Sequence, residues 1–165
     1  MNPLLVLLLL AILGGAVAPP LVDVAYGDSI QPDNPAYTIE KLGEQIRLWL
    51  AQYGVGNYTQ LLEQVLEERL TETEYCIEHN CTDKIPSLLD DYNNTMSLLV
   101  QHLLKHNKTQ LLNQIKLKLQ QHKQRIQHIL ETQITTGMSE VQISIENTIS
   151  SINEAIHEIE IHIEK

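Results

Sequence analysis

The last quarter of the chain carries isoleucine at alternating spacings of four and three residues, and this pattern restricts the fold more than any other feature. The residues involved are Ile145, Ile149, Ile152, Ile156, Ile159 and Ile163. We call them the isoleucine seam. Apolar residues that recur about every 3.5 positions form one line along an α-helix, and the residues between them here are mostly polar. The seam therefore predicts a long amphipathic C-terminal helix.

Apolar residues at helical spacing also run through most of the chain before the seam. The first series lies in residues 38–53 and stops at Gly54 and Gly56. The second follows Thr59, which we expect to cap its helix, and the third begins at Pro86, which suits a first helical turn. With no Phe and one Trp, the core is aliphatic, which favours packed helices over a sheet. The predicted fold class is all-α, a multi-helix bundle.

Two long helices are expected at the C-terminal end, over about 110–135 and 139–164. Thr135-Thr136-Gly137 ends the first, because glycine readily takes the left-handed conformation, and Ser139 opens a capping box for the second. Helices of equal length joined by a short turn fold back on each other, so we predict an antiparallel helical hairpin with coiled-coil-like packing. Near Asn107 the apolar pattern loses register, which leaves open whether the helix breaks there or only shifts phase.

The N-terminus opens with an apolar run from Leu4 to Leu13 that is too short to span a bilayer and is followed by small residues. This pattern is typical of a secretory signal peptide, predicted over residues 1–18, with cleavage after residue 16, 18 or 27 left open. An extended, Pro-rich lead-in is predicted over residues 19–37. Residues 38–165 are predicted to form a single helical domain, in which 110–165 are the hairpin.

Four Asn-x-Thr sequons lie between residues 57 and 109, more than composition alone would give in a short chain. They predict N-glycosylation at Asn57, Asn80, Asn93 and Asn107. Because a glycan cannot be buried, each of these side chains is expected at the surface. Together with the signal peptide, the sequons predict a secreted, extracellular glycoprotein.

Cys76 and Cys81 are the only cysteines, and in an oxidising compartment we expect them to form a disulfide. Five residues of regular helix rise by about 7.5 Å. That exceeds the Cα separation of about 7 Å that a disulfide tolerates. The pairing therefore predicts that the helix ends or bends between the two cysteines. An intermolecular bridge or free thiols remain as alternatives.

The formal net charge of −10 limits the classes of partner. An acidic chain is repelled by phosphate backbones, and no cluster of Lys and Arg offers a nucleic-acid surface, so nucleic-acid binding is not expected. No segment after the N-terminal run is apolar enough to span a bilayer, so stable membrane insertion is not expected either. A reversible contact with lipid is left open.

The seven histidines offer little chemistry. His102 and His106 are four residues apart and share a helix face, but the sequence shows no third ligand, so we expect solvated side chains. His122 falls on the apolar line of its helix, where protonation near pH 6 would weaken packing.

No nucleophile–base pair, phosphate-binding loop or dinucleotide fingerprint is recognisable. We therefore predict no enzyme activity, no catalytic residues, no metal and no cofactor.

The isoleucine seam has three interpretations. It packs against the preceding helix within one chain, it drives self-association into a homo-oligomer, or it faces lipid. We predict a protein that binds a protein partner without catalysis, as the ligand or antagonist of an extracellular or cell-surface partner, with the sequon-free hairpin as the contact surface. The alternatives are a self-associating coiled-coil module and an extracellular carrier of lipid or a small apolar ligand. The arrangement resembles a short helical cytokine, a likeness of fold that does not imply function.

Overall fold

The structure, a computed structural model, describes residues 30–133 and 139–164. The predicted signal peptide, most of the lead-in and the stop at Thr135–Gly137 lie outside the described residues, as does the side chain of Ser139. Within the described residues the chain forms five α-helices and one 3₁₀ turn at Thr82–Lys84. The helices are α1 (Tyr37–Gln52), α2 (Tyr58–Glu78), α3 (Ile85–Lys105), α4 (Thr109–Gln133) and α5 (Ser139–Ile163). The all-α prediction is confirmed.

The described end of the lead-in forms turns before α1 begins. The Asn34 N–H donates to the Gln31 carbonyl over 2.9 Å, and the Asn34 side chain accepts from the Ala36 N–H over 2.9 Å. An asparagine that bonds to the backbone two residues ahead favours a turn over extended chain. Residues 31–36 are therefore not extended in the way the proline content predicts.

The second helix begins two residues earlier than predicted. Its N-cap is Asn57, whose Oδ1 accepts a hydrogen bond from the Gln60 N–H over 3.2 Å. The prediction that Thr59 caps this helix is wrong, because Thr59 lies inside the first turn and its side chain is buried. Asparagine is at least as good a cap as threonine, since its side-chain oxygen reaches the same orphan N–H groups.

The disulfide between Cys76 and Cys81 is present, and it ends α2. The helix stops at Glu78, and Asn80 then takes a left-handed conformation with φ of 59°. This reversal brings the two Cα atoms to 4.5 Å, which a continuous helix could not do. The prediction that the helix ends between the cysteines is confirmed.

Near Asn107 the helix breaks. α3 ends at Lys105, Asn107 has a φ of 50°, and α4 begins at Thr109. Asparagine is one of the few side chains that tolerate the left-handed region, so it permits a tight connection without glycine. The break explains why the apolar pattern loses register at this point.

α2 to α5 form two antiparallel hairpins that lie side by side. In the second hairpin Lys116 lies 3.7 Å from Glu160 and Lys123 donates to Asn153 over 2.7 Å, a register possible only for antiparallel helices. The first hairpin, α2 and α3, turns at the disulfide loop. Helix α3 packs extensively on both α2 and α5, so the two hairpins share one core. The predicted hairpin at the C-terminus is therefore one half of a bundle.

The core is mainly aliphatic, with Tyr92, Met96 and the Cys76–Cys81 disulfide among its buried members, and is built by residues from all four of these helices. Leu62 and Leu66 of α2, Leu99 of α3 and Leu119 of α4 are fully buried. Helix α1 lies outside this bundle and packs mainly on α2. Its contribution to the core consists of the buried Ala51 and the partly buried Tyr37 and Leu48.

Candidate functional site

A buried ion cluster fills the interface between α1 and α2. Arg69 of α2 is only 1% exposed. Its guanidinium pairs with Glu44 of α1 and lies 2.7 Å from Glu72, one turn further along α2. The Tyr37 hydroxyl, at the start of α1, donates to Glu72 over 2.7 Å. These bonds fix the inner face of α1 on α2 through polar contacts.

The cluster contains more carboxyl groups than Arg69 alone can neutralise. Burial raises the pKa of Glu72 to about 7; Glu44 and Glu68 raise this pKa too, whereas Arg69 and the Tyr37 hydrogen bond lower it. Burial also raises the pKa values of Glu44, Glu68 and Glu40. A carboxyl group with a raised pKa takes up a proton at a pH where the unfolded chain would be ionised.

Glu40 has a second role at the start of α1. Both of its carboxylate oxygens accept from the Ile30 N–H, at 3.0 and 2.9 Å. The carboxyl group of Glu40 is thus bonded to the backbone of Ile30 and shielded from water. Glu40, Glu44 and Ala51 are the buried residues of α1.

Because acidic side chains occupy the inner face of α1, its apolar residues turn outward. We call five of them the outer stripe: Ile39, Leu42, Ile46, Leu50 and Tyr53. Ile39 is 56% exposed, Leu42 is 57% exposed and Tyr53 is 68% exposed, while Ile46 and Leu50 are half-buried. The half-buried Trp49 lies beside them, its ring centroid 5.0 Å from that of Tyr53.

This orientation is the reverse of an ordinary surface helix, which turns its apolar side to the core. A single exposed leucine needs no explanation, but a continuous apolar line along a whole helix marks an interaction surface in most soluble proteins. The outer stripe is therefore the candidate functional site of the described chain.

A second polar network joins α2, α3 and α4. The Tyr92 hydroxyl lies 3.0 Å from His122 Nδ1, and His122 Nε2 lies 2.9 Å from Glu67. Glu67 also pairs with Arg125, which forms a two-point contact with Glu74 at 2.8 and 2.6 Å. One chain of hydrogen bonds thus runs from Tyr92 to Glu74 and ties three helices together.

The Tyr92–His122–Glu67 part of this network has the connectivity of a catalytic triad, but not the environment of one. Tyr92 and His122 are 0% and 1% exposed, so a substrate cannot reach either group in this conformation. Burial raises the pKa of Tyr92 far above its usual range and lowers the pKa of His122. Burial opposes ionisation of Glu67, but the Arg125 hydrogen bond and the His122 charge outweigh it and lower its pKa. The network therefore links three helices through buried, hydrogen-bonded polar groups.

Residues 29–165 match the model of one protein family, Domain of unknown function (DUF5667). The chain belongs to this family. A search of curated proteins and a search of solved structures found no match. The DUF5667 match covers α1 together with the bundle, so the outer stripe lies within the family domain.

In this DUF5667 chain the isoleucine seam lies mainly inside the bundle. Ile145, Ile152 and Ile159 are fully buried, while Ile149, Ile156 and Ile163 are half-buried against the same core. This is the arrangement expected if the seam packs within one chain. Ile143 and Ile161 remain exposed on α5, but 18 residues of helix place them about 27 Å apart, too far for one patch.

The four sequon asparagines lie in different environments. Asn57, Asn80 and Asn107 are exposed, the first as the cap of α2 and the other two at left-handed positions. Asn93 is half-buried between α3 and α5, and its Nδ2 donates to the Thr148 hydroxyl over 3.0 Å. Asn93 is therefore not at the open surface that the sequon predicts.

His102 and His106 do share a face, with ring centroids 4.6 Å apart, and His102 also contacts the ring of Tyr58. Among the described residues, no group of three or more His, Cys, Asp or Glu side chains could hold a metal ion. None of the helices described here combines the length and apolarity needed to cross a membrane.

Two shallow grooves run along α5. One, of about 230 Å³, lies against α3 and the other, of about 330 Å³, lies against α4. The second is lined by Gln120, Lys123, Gln124, Gln127, Asn153 and Ile156. Polar side chains dominate this lining, which does not favour an apolar ligand.

Sequence reasoning identified the residues of α1 that share an apolar face, but not the direction in which that face turns. It also missed the ion cluster around Arg69. A signal was present: Arg69 occupies the same helical line as Leu62, Leu66 and Cys76, where an apolar residue is expected. A charged residue on such a line predicts a buried partner of opposite charge.

Proposed function

We propose that this chain is a secreted glycoprotein that works by binding protein, without catalysis, and that the outer stripe of α1 is its contact surface. The observation that carries the proposal is the reversed orientation of α1, with Glu40 and Glu44 buried and Ile39 and Leu42 exposed. Burying carboxyl groups costs free energy. A helix that buries them and leaves its apolar side in water is therefore suited to binding another molecule through that side.

Export is part of the proposal and rests on three features. The apolar run from Leu4 to Leu13 is followed by small residues, as in a signal peptide. Four sequons are present, three of them with exposed asparagines. The disulfide between Cys76 and Cys81 is compatible with an oxidising, extracellular location.

The outer stripe replaces the C-terminal hairpin as the proposed contact surface. The hairpin uses most of its isoleucines inside the bundle, which leaves isolated exposed residues such as Ile143. On α1 the apolar side chains are consecutive along one face. A partner helix or sheet that covers them would bury a continuous apolar strip, the part of an interface that contributes most of its free energy.

A site-specific photocrosslinker tests the proposal. We would place benzoylphenylalanine at position 42 of the full secreted chain and, as a matched control, at position 117 on α4. Leu42 and Leu117 are almost equally exposed, at 57% and 58%, but only Leu42 belongs to the outer stripe. We expect a covalent adduct of one defined protein mass from position 42 and none from position 117. Absence of an adduct from position 42 in the secreting culture would overturn the proposal.

A further inference from the structure

The outer stripe is symmetric about its central residue. Relative to Ile46, its members lie at positions −7, −4, +4 and +7, which are Ile39, Leu42, Leu50 and Tyr53. All of these offsets fall on one face of an α-helix. A line of this kind has the same spacing in both directions, so it is complementary to a second copy of itself that runs antiparallel.

From this symmetry we infer that the outer stripe binds a second copy of this chain, with the two α1 helices antiparallel and Ile46 on the two-fold axis. The inference rests on the proposed function, since it names the partner of the same surface. In such an isologous contact Ile39 of one copy faces Tyr53 of the other, and Leu42 faces Leu50. The contact closes at two copies and leaves no stripe free.

The distribution of charge on α1 favours this partner. The charged residues of α1 are Glu40, Lys41, Glu44 and Arg47. Glu40 and Glu44 are buried, and Lys41 pairs with Asp91 of α3. The helical positions that flank the outer stripe are Thr38, Gln45 and Gln52 on one side and Gly43 and Arg47 on the other. The charge of Arg47 acts on the carboxyl groups of Glu40, Glu44 and Glu68. Two copies with a net charge of −10 can therefore meet here with the carboxyl groups of α1 turned away from the contact.

Gly43 and Trp49 lie three residues before and after Ile46, on opposite flanks of the outer stripe. In the antiparallel pairing about Ile46, the two-fold axis places the glycines of both copies on one flank of the contact and the indoles of both copies on the other. An added Cβ at Gly43 would meet no heavy atom within 4 Å, so the space beside this residue is open. The absence of a side chain at Gly43 lets the two helices approach closely on that flank.

The size of the surface sets the expected affinity. The stripe spans 14 residue steps, which is about 21 Å of helix. One helix face of that length lies at the small end of protein interfaces. We therefore expect a dissociation constant on the order of micromolar, and a monomer–dimer equilibrium that depends on concentration.

Cysteine crosslinking of the full secreted chain tests the geometry. Under mild oxidation, Ile46→Cys is expected to give a covalent dimer, because the two thiols meet on the axis. Ile39→Cys or Tyr53→Cys alone should not crosslink, whereas an equal mixture of the two should. Leu117→Cys on α4, a position about as exposed as Ile39, is the control and should stay monomeric. A dimer of Ile39→Cys with itself would indicate a parallel pairing and overturn the inference.

Sedimentation equilibrium supplies a second, independent readout. The wild-type chain should show an average mass that rises towards the dimer across the micromolar range, and Leu42→Glu should remain monomeric with unchanged helix content by circular dichroism. A wild-type chain that stays monomeric at 200 times the expected dissociation constant overturns the inference. The proposed function would survive that result if position 42 still crosslinked to a protein of a different mass, and would fail with it if no adduct formed.

Discussion

Arg69 and Glu72 lie one helical turn apart on α2, 2.7 Å from each other, with their side chains only 1% and 3% exposed. This pair, joined from α1 by Glu44 and Tyr37, is the reason that α1 can turn its apolar side outward. A helix that docked through leucines would have no apolar residues left for a second surface. Because polar side chains hold α1 on α2, the apolar side of α1 stays available for binding.

Arg69→Met should weaken the packing of α1 on α2 and lower the free energy of unfolding at neutral pH. Removing one member of a buried ion pair leaves the other charges uncompensated, which costs about 3–5 kcal/mol. We expect a correspondingly lower free energy of unfolding in urea at pH 7.5, and a smaller loss at pH 5, where Glu44 and Glu72 can take up protons. Lys108→Met, at an exposed position, is the control and should change stability by less than about 0.5 kcal/mol. Equal losses at both pH values would contradict the role of the carboxyl groups.

Glu72 should make the protein more stable at mildly acidic pH than at neutral pH. Its pKa is raised from the ordinary 4.5 to about 7 in the folded chain, chiefly by burial. Between these values the folded chain binds more protons than the unfolded chain, so the free energy of unfolding falls as pH rises through this window. One pKa unit corresponds to roughly 1.4 kcal/mol.

Glu72→Gln removes this titration while keeping an acceptor for Tyr37. The variant should lose the Glu72 part of the fall in the free energy of unfolding between pH 5 and pH 7.5, so this fall should be shallower than in the wild type. His122 acts in the opposite direction: burial lowers its pKa, so the unfolded chain gains the extra proton as pH falls below 6.5. Glu40, Glu44 and Glu68, whose pKa values are also raised, still act in the direction of Glu72, so an unchanged pH dependence in Glu72→Gln would contradict the prediction. Glu131→Gln, at an exposed position near the end of α4, is the control. Its free energy of unfolding, measured by chemical denaturation at each pH, should depend on pH as in the wild type.

The helices themselves could be predicted because each carries apolar residues once per turn and ends at a residue with a local reason to stop it. The disulfide geometry followed from helix rise alone. Periodicity shows which residues share a face, however, and not which neighbour that face meets. The outer stripe and the isoleucine seam look alike in sequence, yet one is exposed and the other lines the core.

Whether an apolar face is exposed, like the outer stripe, or buried, like the isoleucine seam, depends on residues elsewhere in the chain. Glu44 is buried because Arg69, 25 residues away on α2, meets it. His122 was expected on the apolar line and is indeed buried, but its partners Tyr92 and Glu67 are 30 and 55 residues away. Pairings between helices depend on how the two hairpins are placed, and no local pattern encodes that placement.

Tyr92→Phe should destabilise the bundle through its effect on His122. The substitution removes only a hydroxyl, but it leaves His122 Nδ1 buried without its partner, which costs about 1–3 kcal/mol. We expect this loss in the free energy of unfolding by urea titration. Tyr53→Phe, on the exposed outer stripe, is the matched control and should leave stability unchanged. A Tyr92→Phe variant as stable as wild type would mean that the hydroxyl contributes nothing to packing.

Glycan occupancy should differ among the four sequons according to their positions in the fold. Asn57 uses its Oδ1 as the cap of α2, so a glycan on Nδ2 leaves that bond intact, and Asn80 and Asn107 are exposed. Asn93 uses its Nδ2 to bond Thr148, and a glycan there would separate α3 from α5. We therefore expect occupancy at the three exposed sites and none at Asn93.

Peptide mapping of the secreted chain after enzymatic deglycosylation in oxygen-18 water measures the occupancy of each site, because each released glycan leaves a labelled aspartate. The matched substitutions Asn93→Asp and Asn107→Asp separate sequon loss from structural loss. Asn93→Asp replaces the buried donor with an acceptor and should lower stability by about 1–3 kcal/mol, whereas Asn107→Asp keeps a side chain that tolerates the left-handed region. Full occupancy at Asn93 in a stably folded chain would show that α3 and α5 do not pack through the Asn93–Thr148 bond, because a glycosylated Nδ2 has no room between the two helices.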